Sequence, residues 1–317
     1  MSAVAQSVRV ERTIALTGAS GFVGSALRHA LLAAGHRVLP FGRRPASALR
    51  APIPGYVQWD LTAGPIALAE ADVLVHCGAA VGQWGAYETF YRANVLGTQH
   101  AVASLRPDAR VVYVSTASAY ARHGSGTLRE DAPLVTRGLS AYATTKAAAD
   151  RFVLTLERPA VVLRPHVVYG PGDTTLWPRV LRAVRGGALW IPGNGTARIS
   201  TTHIDHLAQA VVLAVQPSAP CGAFNIADLD ACTVDALLRT MFARRAMSVR
   251  LRYVPRPVAV GVAMCVEMAW RMAGREDEPR LTRYAVQGLA DDCVLDTTRA
   301  QSALGFTPRW TIADGPI

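Results

Sequence analysis

Lysine is almost absent from this chain. Of its 317 residues only Lys146 is lysine, and the other 32 cationic side chains are arginine. The two residues are interchangeable on a solvated surface. They are not interchangeable where a compact ammonium on a flexible stem, or a shiftable pKa, is required. The lone lysine therefore marks a position that arginine would fill badly. Cysteine is scarce as well. Cys77, Cys221, Cys232, Cys265 and Cys293 are odd in number, far apart and without a CxxC pair, which argues against a disulfide framework and a zinc site and for a reducing compartment. The opening MSAVAQSVRV has no apolar signal core, so the expected location is the cytoplasm. A basic run is missing too. The arginines come as singles and pairs (Arg43-Arg44, Arg244-Arg245) without interleaved aromatics, so a net charge of +10 points to small anionic partners rather than nucleic acid. The longest apolar run, 258–273, contains Glu267 and is too short to span a bilayer. Two roles remain for it, packing on a neighbour or peripheral contact with a membrane.

What is present is an alternation of short apolar runs with helical stretches. TIALT (13–17), RVLPF (37–41), VLVHC (73–77), VVYVS (111–115) and AVVLR (160–164) read as buried strands, separated by helical segments at 22–35, 86–105 and 141–157. Strands buried on both faces and alternating with helices imply an α/β fold, a doubly wound parallel sheet of Rossmann type. Beyond Arg164 the regularity decays into a Gly- and Pro-rich segment, 165–203. A helix (204–215) and a strand (223–227) then return before a mostly helical C-terminal third. The expected division is a dinucleotide-binding core, 9–164 with a return segment 204–228, and a smaller substrate lobe, 165–203 and 229–317. That lobe would lie over the C-terminal strand ends, where such sheets bind ligands.

TGASGFVGSAL (17–27) joins the first strand to the first helix. Gly18 permits the tight turn, Gly21 lets a pyrophosphate approach the backbone, and Gly24 lets helix pack on strand. The helix N-terminus offers free N–H groups to phosphate. Ser20, Phe22 and Val23 share that contact. A glycine triplet is weak evidence alone, but here it follows a strand and opens a helix, the context the motif needs. At the end of the second strand, where an acid would bind a free ribose diol, stand Gly42, Arg43 and Arg44. Two guanidiniums without a carboxylate favour NADP(H) over NAD(H), the latter remaining open. Asp60, followed by Leu61, would face the adenine.

Tyr142 and Lys146 are four residues apart in a helical segment, so they share one face. VSTAS (114–118) ends a buried strand beside them. A strand-end hydroxyl with this tyrosine and lysine can reduce a carbonyl. Both hydroxyls would hydrogen-bond the substrate oxygen, and the tyrosine would donate its proton as hydride arrives. A free phenol titrates near 10, so the lysine is expected to favour the phenolate. A planar guanidinium would fit that slot poorly, which explains the single lysine.

TGASGFVG, HCGAA (76–80), NVLGT (94–98), VSTASAY, YATTK and LRPHVVYGPG together resemble an extended short-chain dehydrogenase/reductase over residues 13 to about 230. The ending RLTRYAVQGLADDCVLDTTRAQSALGFTPRW is most similar to the 3β-hydroxysteroid dehydrogenase-like branch and related bacterial ketone reductases. The resemblance implies that Gly78, Ala79, Ala80 and Asn94 contact the cofactor, and that Asn94 also helps brace the central strands. It implies Thr116 as the catalytic hydroxyl, with Ser118 in support and Ser115 as the rival. Tyr142 and Lys146 are then the catalytic pair, and Pro165 and Val168 line the nicotinamide pocket. Sugar-nucleotide epimerases of this family usually carry an Arg-Asp-aromatic stretch where this chain has RISTTHID, which lowers that reading.

Gln83, Trp84, Tyr87, Trp177, Trp190 and the 258–273 helix suggest an apolar ketone or alcohol as substrate, although any of these aromatics could equally pack the lobe on the sheet. His76, His123, His166, His203 and His206 lack metal-ligand spacing, and no metal is expected. His166 is the histidine expected nearest the substrate. A homodimer is compatible with all of this. The leading expectation is an NADP(H)-linked ketone reductase, ahead of a nucleotide-sugar epimerase or dehydratase and of a non-catalytic dinucleotide sensor.

Overall fold

Seven runs of Val, Ile, Leu and Ala form one parallel sheet: β1 (Thr13–Thr17), β2 (Arg37–Gly42), β3 (Val57–Gln58), β4 (Val73–His76), β5 (Arg110–Val114), β6 (Ala160–Pro165) and β7 (Gly222–Ile226). The computed structural model describes residues 11–121 and 126–316. The expectations placed on the first ten residues and on His123 lie outside the described residues. Across the sheet the order is β7-β6-β5-β4-β1-β2-β3. The chain therefore runs outward from β1 to β3 and then resumes at β4 on the other side of β1. That reversal opens a crevice at the C-terminal ends of β1 and β4.

Alternate residues of each strand feed two cores, as period-two geometry requires. Ile14 and Leu16, Val73 and Val75, Val112 and Val114 face one side with Leu27, Leu207 and Val211. Ala15, Leu74, Val111 and Tyr113 face the other with Val102 and Val153. The first face is covered by α1 (Phe22–Ala33), the second by a helical run through Tyr87–Tyr91, Arg92–Leu96 and Gly97–Ala103 and by α2 (Ala141–Leu154). The middle of that run, Arg92–Leu96, widens into a π-type turn. Such turns recur at functional sites.

Further along the chain come α3 (Leu176–Ala183), α4 (Ile204–Ala214), α5 (Val234–Ala243), α6 (Arg256–Met272), α7 (Arg283–Ala290) and α8 (Thr298–Leu304). Of these α4 and α8 return to the sheet. α3, α5 and α7 build the lobe around Leu189, Ile191, Leu237 and Phe242, and α6 packs on α7. The lobe also holds short strand pairs that the sequence did not suggest. Ala188–Pro192 pairs with Arg250–Val254, Val168–Tyr169 with Thr202–His203, and Arg198–Ile199 with Cys232–Thr233. Strands this short show no readable periodicity.

The apolar 258–273 segment is α6. Its inner face (Ala259, Ala263) packs on Val286 of α7, and Glu267 is buried against Arg283. Val258, Val262, Met264, Met268 and Met272 point outward. None of its residues reaches the cavity described below, so its expected part in the substrate pocket is corrected. It is apolar on both sides, which from sequence alone looks like a pocket wall. Among the described residues no helix is long and apolar enough to cross a membrane.

Candidate active site

The glycine turn is shaped by contacts that no side chain could share. Gly18 has φ +73°, and a Cβ there would lie 2.8 Å from Gly78 N. A Cβ on Gly24 would lie 2.1 Å from Gly18 O. Gly18 thus lets β1 turn against the end of β4, and Gly24 seats α1 on that turn. The helix begins at Gly21 with no side-chain cap, which leaves its first amides to an external acceptor.

Next to the turn the ends of the strands are fixed by His76. Burial holds its imidazole down to about 3, so it is neutral. It contacts Thr17 Oγ1 at 2.6 Å and Thr98 Oγ1 at 3.0 Å and stacks on Tyr113. This histidine is structural. Asn94, on the wide turn, accepts from Ala80 N at 2.7 Å and donates to Ala80 O and Thr145 Oγ1. It therefore ties the loop after β4 to α2 from behind, and its own side chain does not line the cavity. The expected direct cofactor contact by Asn94 gives way to a supporting one.

From this turn a cavity of about 960 Å³ runs into the lobe. Gly18, Ser20, Gly21, Phe22, Val23, Gly24, Arg43, Arg44, Asp60, Leu61, Gly78, Ala79, Ala80, Pro165 and Val168 all line it, as do Thr116, Tyr142 and Lys146. At its far end Arg44 donates to Ser20 O at 2.7 Å, so this guanidinium is folded onto the glycine turn. Asp60 accepts from the amide and hydroxyl of Thr62, and the amide bond holds its carboxyl below the usual range. Uncapped amides, a backbone that tolerates no Cβ and a cavity of this size fit a dinucleotide.

Tyr142 and Lys146 sit on α2, which is pinned to the sheet one turn further on. Asp150 is fully buried. It makes two bonds to Arg164 of β6, at 2.7 and 2.9 Å, and accepts from Ser115 Oγ at 2.7 Å. Removing one partner of such a buried pair costs roughly 3–5 kcal/mol. Ser115 lines the cavity with its hydroxyl committed to Asp150, while Thr116 Oγ1 accepts from Ser118 N at 3.2 Å and its hydroxyl acts on the Tyr142 phenol to lower its pKa. Ser118 accepts from Tyr284 of α7 at 2.8 Å, a link from lobe to sheet.

Lys146 is 3 % exposed; its ammonium donates to Val114 O at 2.7 Å and lies 4.1 Å from the Tyr113 ring centroid. Burial pulls its pKa down to about 7, partly offset by the Asp150 carboxylate. The expected push of Lys146 on the phenol is not what this geometry shows. Burial drives Tyr142 above its ordinary range and the Tyr284 phenol adds to this. The Thr116 hydrogen bond and the charge of Arg179 act the other way.

Of the residues expected near substrate, Gln83, His166 and Trp190 line the cavity. His166 is buried, with Nδ1 2.9 Å from Ser200 O. The others pack elsewhere. Trp84 donates to Arg275 O, Tyr87 stacks on Tyr91, and Trp177 lies between Phe242 and Arg245. Arg179, Glu278 and Tyr284 reach the cavity from segments far apart in the chain and carry no motif that would have marked them. Val167 was missed as well. It lies between Pro165 and Val168 at φ +46°, a strained conformation for a β-branched residue and one that clusters at functional sites.

Residues 14–227 match the NAD dependent epimerase/dehydratase family. A 2-alkyl-3-oxoalkanoate reductase of Stenotrophomonas maltophilia is 31% identical, over 95% of this chain and 96% of that protein. A 4-hydroxy-2-methyl-3-oxo-4-farnesyl-3,4-dihydroquinoline-1-oxide ketoreductase of Stigmatella aurantiaca is 29% identical, over 95% and 93% of the two chains. Among solved structures, MoeE5 in complex with UDP-glucuronic acid and NAD superposes with a TM-score of 0.71 at 27% identity, covering 96% of each chain.

Proposed function

The chain belongs to the NAD dependent epimerase/dehydratase family, and within it we propose that it is an NADP(H)-linked reductase of a ketone on a long-chain, largely apolar oxo compound. The observation that carries this reading is one continuous cavity. It joins the glycine turn to the Thr116 and Tyr142 hydroxyls and then to a wall of Leu176, Val180, Leu189, Ile191 and Leu281. Relatives named as ketone reductases along nearly the whole chain support it. The cofactor unit is 9–164 with 204–228, and the substrate unit is 165–203 with 229–317.

A bound nicotinamide cofactor supplies the hydride; the chain's residues handle the oxygen and its proton. The Thr116 hydroxyl holds the carbonyl oxygen. The Tyr142 phenol, kept protonated by burial, donates its proton to that oxygen as negative charge develops. Lys146 fixes the end of β5 through Val114 O and keeps α2 in register with it. Arg43 and Arg44, beside a Gly42 that carries no carboxylate, offer the 2′-phosphate two cations.

A second reading, a nucleotide-sugar epimerase, is favoured by one observation, the arginines 179, 182, 185 and 280 on the substrate side of the cavity. The two differ in stoichiometry. A reductase consumes one cofactor for each alcohol formed, whereas an epimerase regenerates its cofactor within the turnover. A screen of long-chain ketones with NADPH, followed by cofactor absorbance, tests the proposal. Isomerised sugar nucleotide without net absorbance change would replace it.

A further inference from the structure

Among the arginines on the substrate side of the cavity, Arg179 is the one with an acid partner in the described residues. Arg179, on α3, is 34% exposed, and its Nε lies 3.2 Å from Glu278 Oε1. The second oxygen of Glu278 accepts from the Gln83 amide at 3.2 Å. The carboxylate thus clamps Arg179 to the loop after β4. Only one of the five guanidinium N–H groups is used in that bond, and among the described residues no other side-chain partner is seen for Arg179. A latch between lobe and sheet would be a sufficient reason for the pair if it stood on the surface. It stands instead in the cavity that holds Tyr142, with Leu176 and Val180 of the same helix on the wall. The charge of Arg179 also reaches the Tyr142 phenol. Arg182, Arg185 and Arg280 line the same side, and Glu278 is the one acid facing them there. An apolar wall with an incompletely paired guanidinium in the same cavity as the Tyr142 phenol suits a chain that carries an anion close to its ketone.

We propose that Arg179 binds the carboxylate of a 3-oxo acid substrate, with Glu278 holding the guanidinium in place for it. This inference rests on the ketone-reductase reading and adds the specificity residue. A carboxylate at the 1-position lies two bonds from the carbonyl carbon, so one molecule places its oxygen at Thr116 and Tyr142 and its anion at Arg179. The alkyl chains then follow the apolar wall. Planar two-point recognition of a carboxylate is what a guanidinium does better than an ammonium. An uncharged ketone would leave Arg179 with Glu278 alone.

The test pairs a 2-alkyl-3-oxoalkanoate with its methyl ester as NADPH-linked substrates for wild type, Arg179→Met and Arg179→Lys, after thermal unfolding has shown the variants folded. Wild type should prefer the acid. Arg179→Met should lose about tenfold to a hundredfold in kcat/KM on the acid, the worth of a charge-assisted contact, and stay within about threefold on the ester. Arg179→Lys should fall between. Equal losses on both substrates, or a wild type indifferent to the ester group, would overturn the inference and leave the reductase reading intact. Calorimetric binding of the corresponding 3-hydroxy acid and its ester reads the same contrast without turnover. A wild type that reduces neither ketone but binds the hydroxy acid through Arg179 would therefore sink the reductase reading alone. UDP serves as the competing anion. If UDP binds more tightly than the hydroxy acid and loses that binding in Arg179→Met, the site takes a diphosphate and the carboxylate assignment is wrong.

Discussion

The two ends of the cavity are built from different materials. The cofactor end is made of backbone: Gly18 against Gly78, Gly24 against Gly18, and uncapped amides at the start of α1. The substrate end is made of side chains brought from α3, the 278–281 segment and α7 onto the loops after β4 and β5. A backbone site has few solutions, because a single added Cβ would collide with main chain. A side-chain site can be repopulated without disturbing the sheet. Tyr142 and Lys146, proposed to carry the chemistry, sit at the junction, where α2 is fastened to β5 and β6 through Asp150, Ser115 and Arg164. Fixed cofactor geometry and a changeable substrate wall are how one fold serves several reactions.

Substitutions at the junction should produce the largest losses. Tyr142→Phe removes the proton donor and keeps the ring, so turnover should fall by about a hundredfold to ten-thousandfold while cofactor affinity hardly changes. Steady-state kinetics with a cofactor titration checks this, and retention of a tenth of the wild-type rate would exclude the role. Lys146→Arg keeps the charge but enlarges a side chain that is enclosed by Val114 O and the Tyr113 ring. Turnover should drop about a hundredfold or more, and overpacking should destabilise the fold by about 1–3 kcal/mol. Full activity in this variant would make the lone lysine an accident of composition.

The same lysine gives a pH signature. Its pKa is lowered from 10.5 to about 7 in the fold. Between those values the unfolded chain holds a proton that the folded chain has released, so stability from this group rises with pH and is lost as pH falls toward 7. From pH 7 to 9 the gain is about 2 kcal/mol. Urea unfolding of wild type against Lys146→Met over this range should show the gap moving by that amount in favour of wild type at the higher pH. Parallel curves would mean the ammonium is not desolvated.

The smallest effects belong to the cofactor end. Arg43→Ala should weaken NADPH about tenfold and leave NADH unchanged, since one charge-assisted contact to the 2′-phosphate is lost. Arg44→Ala should weaken both cofactors, because Arg44 also tethers Ser20 O. Dissociation constants at fixed ionic strength separate the two. Equal losses for both cofactors in Arg43→Ala would remove the basis for preferring NADP.

The same division decides what the sequence could show. The glycine turn, the strand runs and the Tyr142–Lys146 pair are local patterns, readable because each obeys one spacing rule. The Arg179–Glu278 bond spans 99 positions and the Tyr284–Ser118 bond 166, and no periodicity encodes either. Trp84, Tyr87 and Trp177 looked like pocket residues because aromatic bulk serves packing and ligand binding alike. The outward Met and Val side chains of α6 misled for a related reason, since hydropathy does not say which side of a helix faces a cavity. The wide turn that aims Asn94 at Ala80 has no sequence signal of its own.

Cofactor stoichiometry separates reduction from epimerisation in a single reaction. Wild-type chain, NADPH and a 2-alkyl-3-oxoalkanoate are mixed, and cofactor oxidation is followed alongside the product. The account predicts one NADPH consumed for each 3-hydroxy product, with neither formed by Tyr142→Phe. Turnover of a nucleotide sugar with no net cofactor change, or reduction that survives in Tyr142→Phe, would contradict it.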